Sequence, residues 1–228
     1  MGHVKSKSVI VVTGTLREAA VIEGADQAGV HVIAAGSDPE RMRRELEEAA
    51  PYACGLISFG MCGAIDRSLQ LGRWVIGKRL LGPFHARCDE RWVDALQRLL
   101  PTARVGAVYA DGHMLTEQYD KSSRAWSTAA LAADMESHIV GEVAARHDLP
   151  FAVLRCVSDI ADMDLPPAVE VMMRPDGGLA LGAVLKSILG KPAQVPHLVS
   201  TVAGFARAYR ELGAGVKETG ARFGFDLR

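Results

Sequence analysis

The chain has 228 residues, of which 49% are hydrophobic and 23% are charged, and its formal net charge at pH 7 is −1. This composition is that of a soluble globular protein with one sizeable core, and it excludes a disordered chain. A near-neutral charge gives no support to a nucleic-acid partner, which would need a basic face. No apolar run approaches the roughly 18 residues of a membrane span, and the start of the chain carries no secretory signal.

Six apolar runs of strand length recur in the first two thirds of the chain, with helical patterns between them. Phe151–Val157 is nearly unbroken, which is typical of a strand buried on both faces. A helix is predicted over Asp38–Ala50, where a capping aspartate precedes a proline. This alternation predicts an α/β fold, most simply one three-layer domain over residues 1–228. The predicted strands are Val9–Val12, Val30–Ala34, Gly55–Phe59, Trp74–Ile76, Val105–Tyr109 and Phe151–Val157.

Residues 186–228 differ from the rest of the chain in charge. They contain seven basic and three acidic residues, so their net charge is +4 and that of the remainder is −5. Two interpretations stay open, a helix packed on the surface of the domain or a helix that contacts a membrane or lipid. Both start from a helical stripe of apolar residues formed by Leu198, Val202, Phe205, Tyr209 and Leu212.

The first candidate site follows the first predicted strand and contains Gly14, Arg17 and Glu18. A glycine at the carboxyl end of a strand lets backbone N–H groups approach an anion or a polar ligand. Arg17 and Glu18 would lie in the first turn of the following helix. Each of them is also compatible with an ordinary solvated surface charge.

The second candidate is the glycine-rich stretch Ser58–Ile65, which contains Gly60, Cys62 and Gly63. Two glycines that frame small residues after an apolar strand permit a close approach of the backbone to a ligand. They would equally form a tight turn. In both interpretations the predicted strand ends at Phe59.

The third candidate is Ala133–Ser137, at the start of the helix that carries Ile139 and Val140. Asp134 or Ser137 would cap that helix. A carboxylate beside a methionine also has a functional interpretation. It accepts hydrogen bonds from two vicinal sugar hydroxyls while the thioether covers the apolar face of the ring.

The fourth candidate is Ser158–Asp162, which ends the most buried strand. Open α/β sheets bind ligands beyond the carboxyl ends of their strands. A partly desolvated Asp159 at this place would have a raised pKa and would serve as a general acid. The alternative is that Asp159 or Asp162 caps the next turn.

No zinc-ligand spacing, Walker-type phosphate loop or GxSxG nucleophile motif occurs in the chain. The four cysteines form no CxxC pair, so we expect reduced thiols in a cytoplasmic protein. Neither a metal nor a cofactor is expected.

Taken in order, the four candidate segments resemble the purine nucleoside phosphorylase and nucleosidase superfamily. Asp134–Ser137 and Ser158–Asp162 look like the family's Met-Glu ribose clamp and Ser-Asp catalytic turn, and Gly60–Ala64 is similar to its glycine-rich loop. The resemblance covers about residues 9–163. It implies a three-layer α/β/α domain with a mixed central sheet, a helical C-terminal segment and a homo-oligomer.

Three further segments resemble one branch, the hopanoid-associated phosphorylases of bacteria. They are Asp134–His138, Leu165–Pro167 and Arg174–Gly177. The branch implies a cytoplasmic enzyme, peripheral at the inner membrane, that releases adenine from the lipid nucleoside adenosylhopane. The basic C-terminal segment would then meet the membrane.

The resemblance also implies roles for single residues. Glu136 would bind the ribose 2′ and 3′ hydroxyls, Met135 would pack on the sugar, and Asp159 would protonate or hydrogen-bond N7 of adenine. The other residues expected at the substrate are Gly60, Cys62, Gly63, His113 and Ser158.

The acceptor of the ribosyl group stays open between water and inorganic phosphate. Gly14 and Arg17 look like the phosphate site of the phosphorylases, whereas Glu18 looks like the water-activating glutamate of the nucleosidases. Family phosphorylases place an arginine and a serine in the glycine-rich loop, where this chain has Ser58 and Met61. The loss of a bidentate phosphate ligand favours water.

A further departure is Ala110–Met114, which stands where the family carries a Ser-Gly-Asp turn and a base-stacking aromatic. His113 or Met114 would have to cover the purine instead. Two other functions remain open. One is a methylthioadenosine or S-adenosylhomocysteine nucleosidase with a small soluble substrate, and the other is a protein that binds nucleosides without cleaving them.

Overall fold

The computed structural model describes residues 7–23, 29–36, 38–170, 181–191, 193 and 195–228. Residues 174–177, which contribute to the resemblance to the hopanoid-associated branch, lie outside this part of the chain. Its strands are β1 (Ser8–Thr13), β2 (Val30–Ala34), β3 (Ala53–Ala64), β4 (Trp74–Leu81), β5 (Ala86–Arg87), β6 (Arg104–Ala110), β7 (Ala132–Asp134) and β8 (Phe151–Asp159). Its helices are α1 (Leu16–Glu23), α2 (Pro39–Ala49), α3 (Glu90–Leu99), α4 (Gln118–Thr128), α5 (Ser137–Arg146), α6 (Pro167–Glu170), α7 (Leu181–Gly190) and α8 (Val195–Thr219).

The strands form a mixed sheet, as the resemblance implies. Its order is β2-β1-β3-β7-β6-β4-β5, and β8 lies between β3 and β4. β8 pairs with β3 in parallel and with β4 in antiparallel orientation. β3, β8, β4, β6 and β7 therefore form a closed circuit of hydrogen-bonded strands.

Helices flank this sheet, so the predicted α/β class is confirmed. Every residue of β8 is buried, in agreement with its unbroken apolar sequence. Helix α2 begins after Asp38, whose side chain accepts the backbone N–H of Arg41 at 2.9 Å. Helix α5 packs against β3, β4 and β8, and α3 and α8 also contact β8.

The glycine-rich stretch departs from the prediction. It is not a loop after a strand that ends at Phe59, because β3 continues through Ala64. Gly60 has a φ of +147°, which a glycine adopts without strain, and it still pairs with Arg155 of β8. The ladder between β3 and β8 continues through Gly60, and its irregularity lies further on, between Cys62 and Gly63.

The C-terminal segment is helical, as predicted, and consists of α7, α8 and a 3₁₀ helix over Ala221–Leu227. Helix α8 packs against the domain through buried Ala208, Leu212 and Val216. Val202 is an exception to the predicted stripe because 53% of its surface is exposed. In the described part of the chain, no helix has the length and apolar character that crossing a bilayer requires.

Candidate active site

A cavity of about 140 Å³ lies where β1, β3, β7 and β8 end. All four candidate segments contribute to its walls. The predicted site residues that line it are Gly14, Glu18, Cys62, Gly63, His113, Met135, Glu136, Ser158 and Asp159. Residues far apart in sequence therefore meet at one edge of the sheet, as expected for an open α/β fold.

Glu18 is a buried carboxylate on one wall of this cavity. Its side chain accepts the backbone N–H of Thr15 at 2.7 Å, the Thr15 hydroxyl at 2.9 Å and the backbone N–H of Met61 at 2.7 Å. Burial raises the pKa of Glu18, while these hydrogen bonds and the charge of Arg155 lower it. The site thus holds a desolvated carboxylate with oriented partners.

Two glycines make room for that carboxylate. A Cβ on Gly60 would lie 2.5 Å from Glu18 Oε1. A Cβ on Gly14 would lie 3.2 Å from Glu18 Oε2 and 3.0 Å from Glu136 Oε1. Gly14 therefore lies against both acids. Gly60 does not line the cavity, but its lack of a side chain leaves room for the Glu18 carboxylate.

The structure does not bring Arg17 into this site. Arg17 is exposed, and its guanidinium stacks on the Tyr209 ring with 4.7 Å between the guanidinium carbon and the ring centroid. Successive helical residues point about 100° apart, so α1 directs Glu18 inward and Arg17 outward. The phosphate-binding role expected for Arg17 is without support from its position.

Glu136 belongs to a buried group of charges centred on Arg155. Arg155 Nη2 lies 3.3 Å from Glu136 Oε2, and Arg155 Nε lies 3.1 Å from Asp134 Oδ2. Asp134 also caps helix α5, because it accepts the backbone N–H groups of Glu136 at 2.9 Å and Ser137 at 2.8 Å. Burial raises the pKa of Glu136 to about 7, with Arg155 acting against that rise.

Asp159 lies at the end of β8 and is 3% exposed. Its Oδ2 accepts a hydrogen bond of 2.6 Å from Lys121 Nζ, and its Oδ1 lies 3.0 Å from Ser158 Oγ. Burial raises the pKa of Asp159, and Lys121 and Ser158 lower it. A Cβ on Gly63 would lie 3.0 Å from Asp159 Oδ2, so the glycine admits this carboxyl against β3.

The remaining wall of the cavity is largely apolar. His113 lies in it with an 82% exposed side chain, followed by Met114 and Leu115. The cavity is also lined by Leu165, by Val169 of α6, and by Phe205 and Tyr209 of α8. The described residues contain no group of three or more His, Cys, Asp or Glu side chains placed to hold a metal ion.

Three of these residues escaped the sequence analysis as site residues. Arg155 could have been recognised from the sequence, since it is the one charge inside an otherwise apolar strand and a buried charge must be paired. Lys121 could not have been recognised in this way, because the residues around it in the sequence are polar and suit a surface helix. Tyr209 was recognised as part of an apolar stripe, but its place in a cavity depends on how α8 docks.

Comparison with known proteins yields one matching family and several similar folds. The family model described as the phosphorylase superfamily matches residues 4–176. S-adenosylhomocysteine nucleosidase from Streptococcus pyogenes is 15% identical with a TM-score of 0.62, covering 95% of this chain and 98% of that one. Futalosine hydrolase from Helicobacter pylori is 12% identical with a TM-score of 0.66, covering 93% and 97%. The 5′-methylthioadenosine/S-adenosylhomocysteine nucleosidase of Helicobacter pylori is 12% identical with a TM-score of 0.62, covering 93% and 99%.

Proposed function

Because the chain belongs to the phosphorylase superfamily, we propose that it is a purine nucleosidase that hydrolyses the N-glycosidic bond of an adenine nucleoside. The observation that carries this proposal is the position of Glu18, Glu136 and Asp159 on the walls of one cavity. Each of the three carboxyls is desolvated, and the pKa of each is raised by burial. Such perturbed acids in one cavity are typical of catalytic sites.

Each of the three acids has a separate role in the proposed reaction. Glu136 accepts hydrogen bonds from the ribose hydroxyls, and Met135 packs on the sugar. Asp159 donates a proton to N7 as the C1′–N9 bond breaks and its electron pair moves into the purine, which neutralises charge where it develops. Glu18 takes a proton from the water that adds to C1′. The products are adenine and the free sugar.

Water is favoured over phosphate by the charges around the cavity. Glu18 points into it and Arg17 points out. Among the described lining residues Lys121 is the cation, and its ammonium is already paired with Asp159. A phosphate dianion beside Glu18 and Glu136 would meet like charge. Adenine release should therefore proceed at the same rate with and without phosphate, and strict dependence on phosphate would overturn the hydrolytic proposal.

We propose adenosylhopane as the substrate. The resemblance of Asp134–His138 and Leu165–Pro167 to the hopanoid-associated branch supports this, as does the apolar wall formed by Phe205, Tyr209 and their neighbours. Adenosylhopane, methylthioadenosine and inosine should be compared side by side. The largest kcat/KM is expected for adenosylhopane, and a larger value for methylthioadenosine would identify the alternative nucleosidase named above.

We further propose that the C-terminal helices contact the membrane. Leu189, Val199 and Val202 are 74%, 65% and 53% exposed, and Lys186 and Lys191 lie exposed on the same segment. Apolar and basic side chains together favour an anionic bilayer surface. The protein should float with anionic liposomes, and Val199→Asp should abolish flotation without slowing the hydrolysis of soluble adenosine. Equal flotation of the variant would exclude this surface.

A homo-oligomer is also proposed from the family resemblance. Exposed aromatic side chains support it, because Tyr119 and Trp126 of α4 are 79% and 93% exposed. Light scattering should give a mass that is a multiple of 24.4 kDa. A monomeric mass at micromolar concentration would reject this part of the proposal.

A further inference from the structure

Lys121 is a buried lysine on the inner side of α4, with 1% of its side chain exposed. Its Nζ lies 2.6 Å from Asp159 Oδ2, 3.0 Å from the carbonyl oxygen of Ile160 and 3.0 Å from that of Met163. All three partners are acceptors. An ammonium has three N–H donors, so the geometry is that of a charged lysine with every donor used.

This arrangement makes the two oxygens of Asp159 inequivalent. Oδ2 is occupied by Lys121, while Oδ1 lies 3.0 Å from Ser158 Oγ. Ser158 Oγ also lies 3.1 Å from the carbonyl oxygen of Cys62. Ser158 Oγ is within donating distance of both Oδ1 and the Cys62 carbonyl oxygen, and its one proton can serve only one of them at a time. Oδ1 therefore has no cation in contact with it, and it is the oxygen on which an acid proton is less disfavoured.

We propose that Lys121 is the positioning residue of the general acid: it holds Asp159 by Oδ2, leaves Oδ1 to protonate the base, and sets the upper pH limit of activity. This inference rests on the proposed nucleosidase function. Lys121 also fastens the first turn of α4 to the segment that follows β8 through Ile160 and Met163. Lys121 therefore connects Asp159 and the residues that follow it to α4.

Among the described residues, Lys121 is the cation that contacts Asp159. The Cys62 thiol faces Asp159 from β3, but burial raises its pKa well above the ordinary value, so it stays neutral. Two carboxylates on the segment after β8 have partners of their own, Asp162 with the Arg67 guanidinium at 2.9 Å and Asp164 with the Gln118 backbone N–H at 2.7 Å.

The direction of the pH effect follows from the charge of Lys121. A cation in contact with a carboxyl favours its ionised form and lowers its pKa, typically by about 1–3 units. A general acid works only while protonated, so activity is lost as the pH rises through the pKa of Asp159. Removing the Lys121 charge raises that pKa, and the alkaline limit of activity must move to higher pH.

The test is the pH dependence of kcat/KM for adenosine in Lys121→Met, Lys121→Arg and the wild type. The alkaline limb should move up by about 1–3 pH units in Lys121→Met and stay near that of the wild type in Lys121→Arg. Lys78→Met removes the same charge from an exposed position on β4 and should leave the profile unchanged. Should Lys121→Met fail to fold, Lys121→Gln takes its place, since it keeps two N–H donors without the charge.

A uniform loss of activity with an unmoved alkaline limb would assign Lys121 a merely structural role and overturn the proposal, as would a downward shift. Infrared difference spectra between the wild type and Asp159→Asn follow the protonation of this carboxyl without any substrate. They should show the same upward shift in the Lys121→Met background. If the wild type cleaves no nucleoside, the proposed function fails, while the infrared titration still decides the role of Lys121.

Discussion

The backbone N–H of Met61 donates a hydrogen bond of 2.7 Å to Glu18 Oε1, joining the middle of β3 to the first turn of α1. Gly60, immediately before Met61, has the positive φ that turns this N–H toward the carboxylate. The position of the proposed base therefore depends on one backbone angle that favours glycine.

The variant Gly60→Ala tests this dependence. Its Cβ would lie 2.5 Å from Glu18 Oε1 at a φ that L-residues rarely adopt, so Glu18 must move. We expect turnover to fall about a hundredfold, as misplacement of a catalytic group by about 1 Å can cause. Steady-state kinetics give the loss. Gly213→Ala on α8 is the matched control, because its Cβ meets nothing within 4 Å, and it should retain full activity.

Replacing Glu18 by Gln keeps the shape of the side chain but removes the proposed base. Turnover should fall by about 10²–10⁴-fold, the usual contribution of general acid–base catalysis, while the fold is retained. Arg17→Ala on the neighbouring position should change turnover by no more than a few-fold, because its side chain lies on Tyr209 outside the cavity. A larger loss in Arg17→Ala than in Glu18→Gln would reverse the choice between water and phosphate.

Asp159→Asn removes the proton that the proposed mechanism delivers to N7. Turnover should drop at least about a hundredfold, with thermal unfolding still cooperative. The readout is adenine release from adenosine, measured beside circular dichroism. Normal turnover in the folded variant would contradict the assignment of Asp159 as the acid.

Ionisation of Glu136 should make substrate binding stronger and the folded state less stable as the pH rises. Its pKa is raised from 4.5 to about 7 by burial, and the ionised form is the better acceptor for ribose hydroxyls. The KM for adenosine should therefore fall as the pH rises through about 7. Since the folded state holds this proton more tightly than the unfolded chain, the contribution to stability is full below pH 4.5 and is lost as the pH rises to about 7.

Urea unfolding and KM, each measured from pH 4 to 8, separate the two trends. Glu136→Gln has no proton to exchange, so the fall in KM should disappear and the loss of stability with rising pH should become smaller in that variant. A wild-type KM that is constant over this range would show that Glu136 does not bind the sugar in its ionised form.

Six of the eight strands in the described part of the chain could be predicted because each contains an apolar run, and Phe151–Val157 falls within β8. The two short strands, β5 and β7, were not predicted. Asp159 could be found because it ends a predicted buried strand, and Glu136 because it stands beside Met135 at the start of a predicted helix. The extension of β3 past Gly60 could not be predicted, since two glycines suit a turn as well as a continuing strand. The contact between Lys121 and Asp159 could not be predicted either, because the two residues are 38 positions apart in sequence and meet only in the folded chain.

The sheet and the C-terminal helices contribute different kinds of side chain to one cavity. Glu136 and Asp159 lie at the ends of strands in the closed circuit, whereas Phe205 and Tyr209 belong to α8. A change of the Phe205 side chain is therefore expected to alter which nucleosides the cavity accepts while the three acids stay in place. Substrate choice and bond cleavage thus draw on side chains from different segments of the chain, and the two properties can be changed by mutations at different positions.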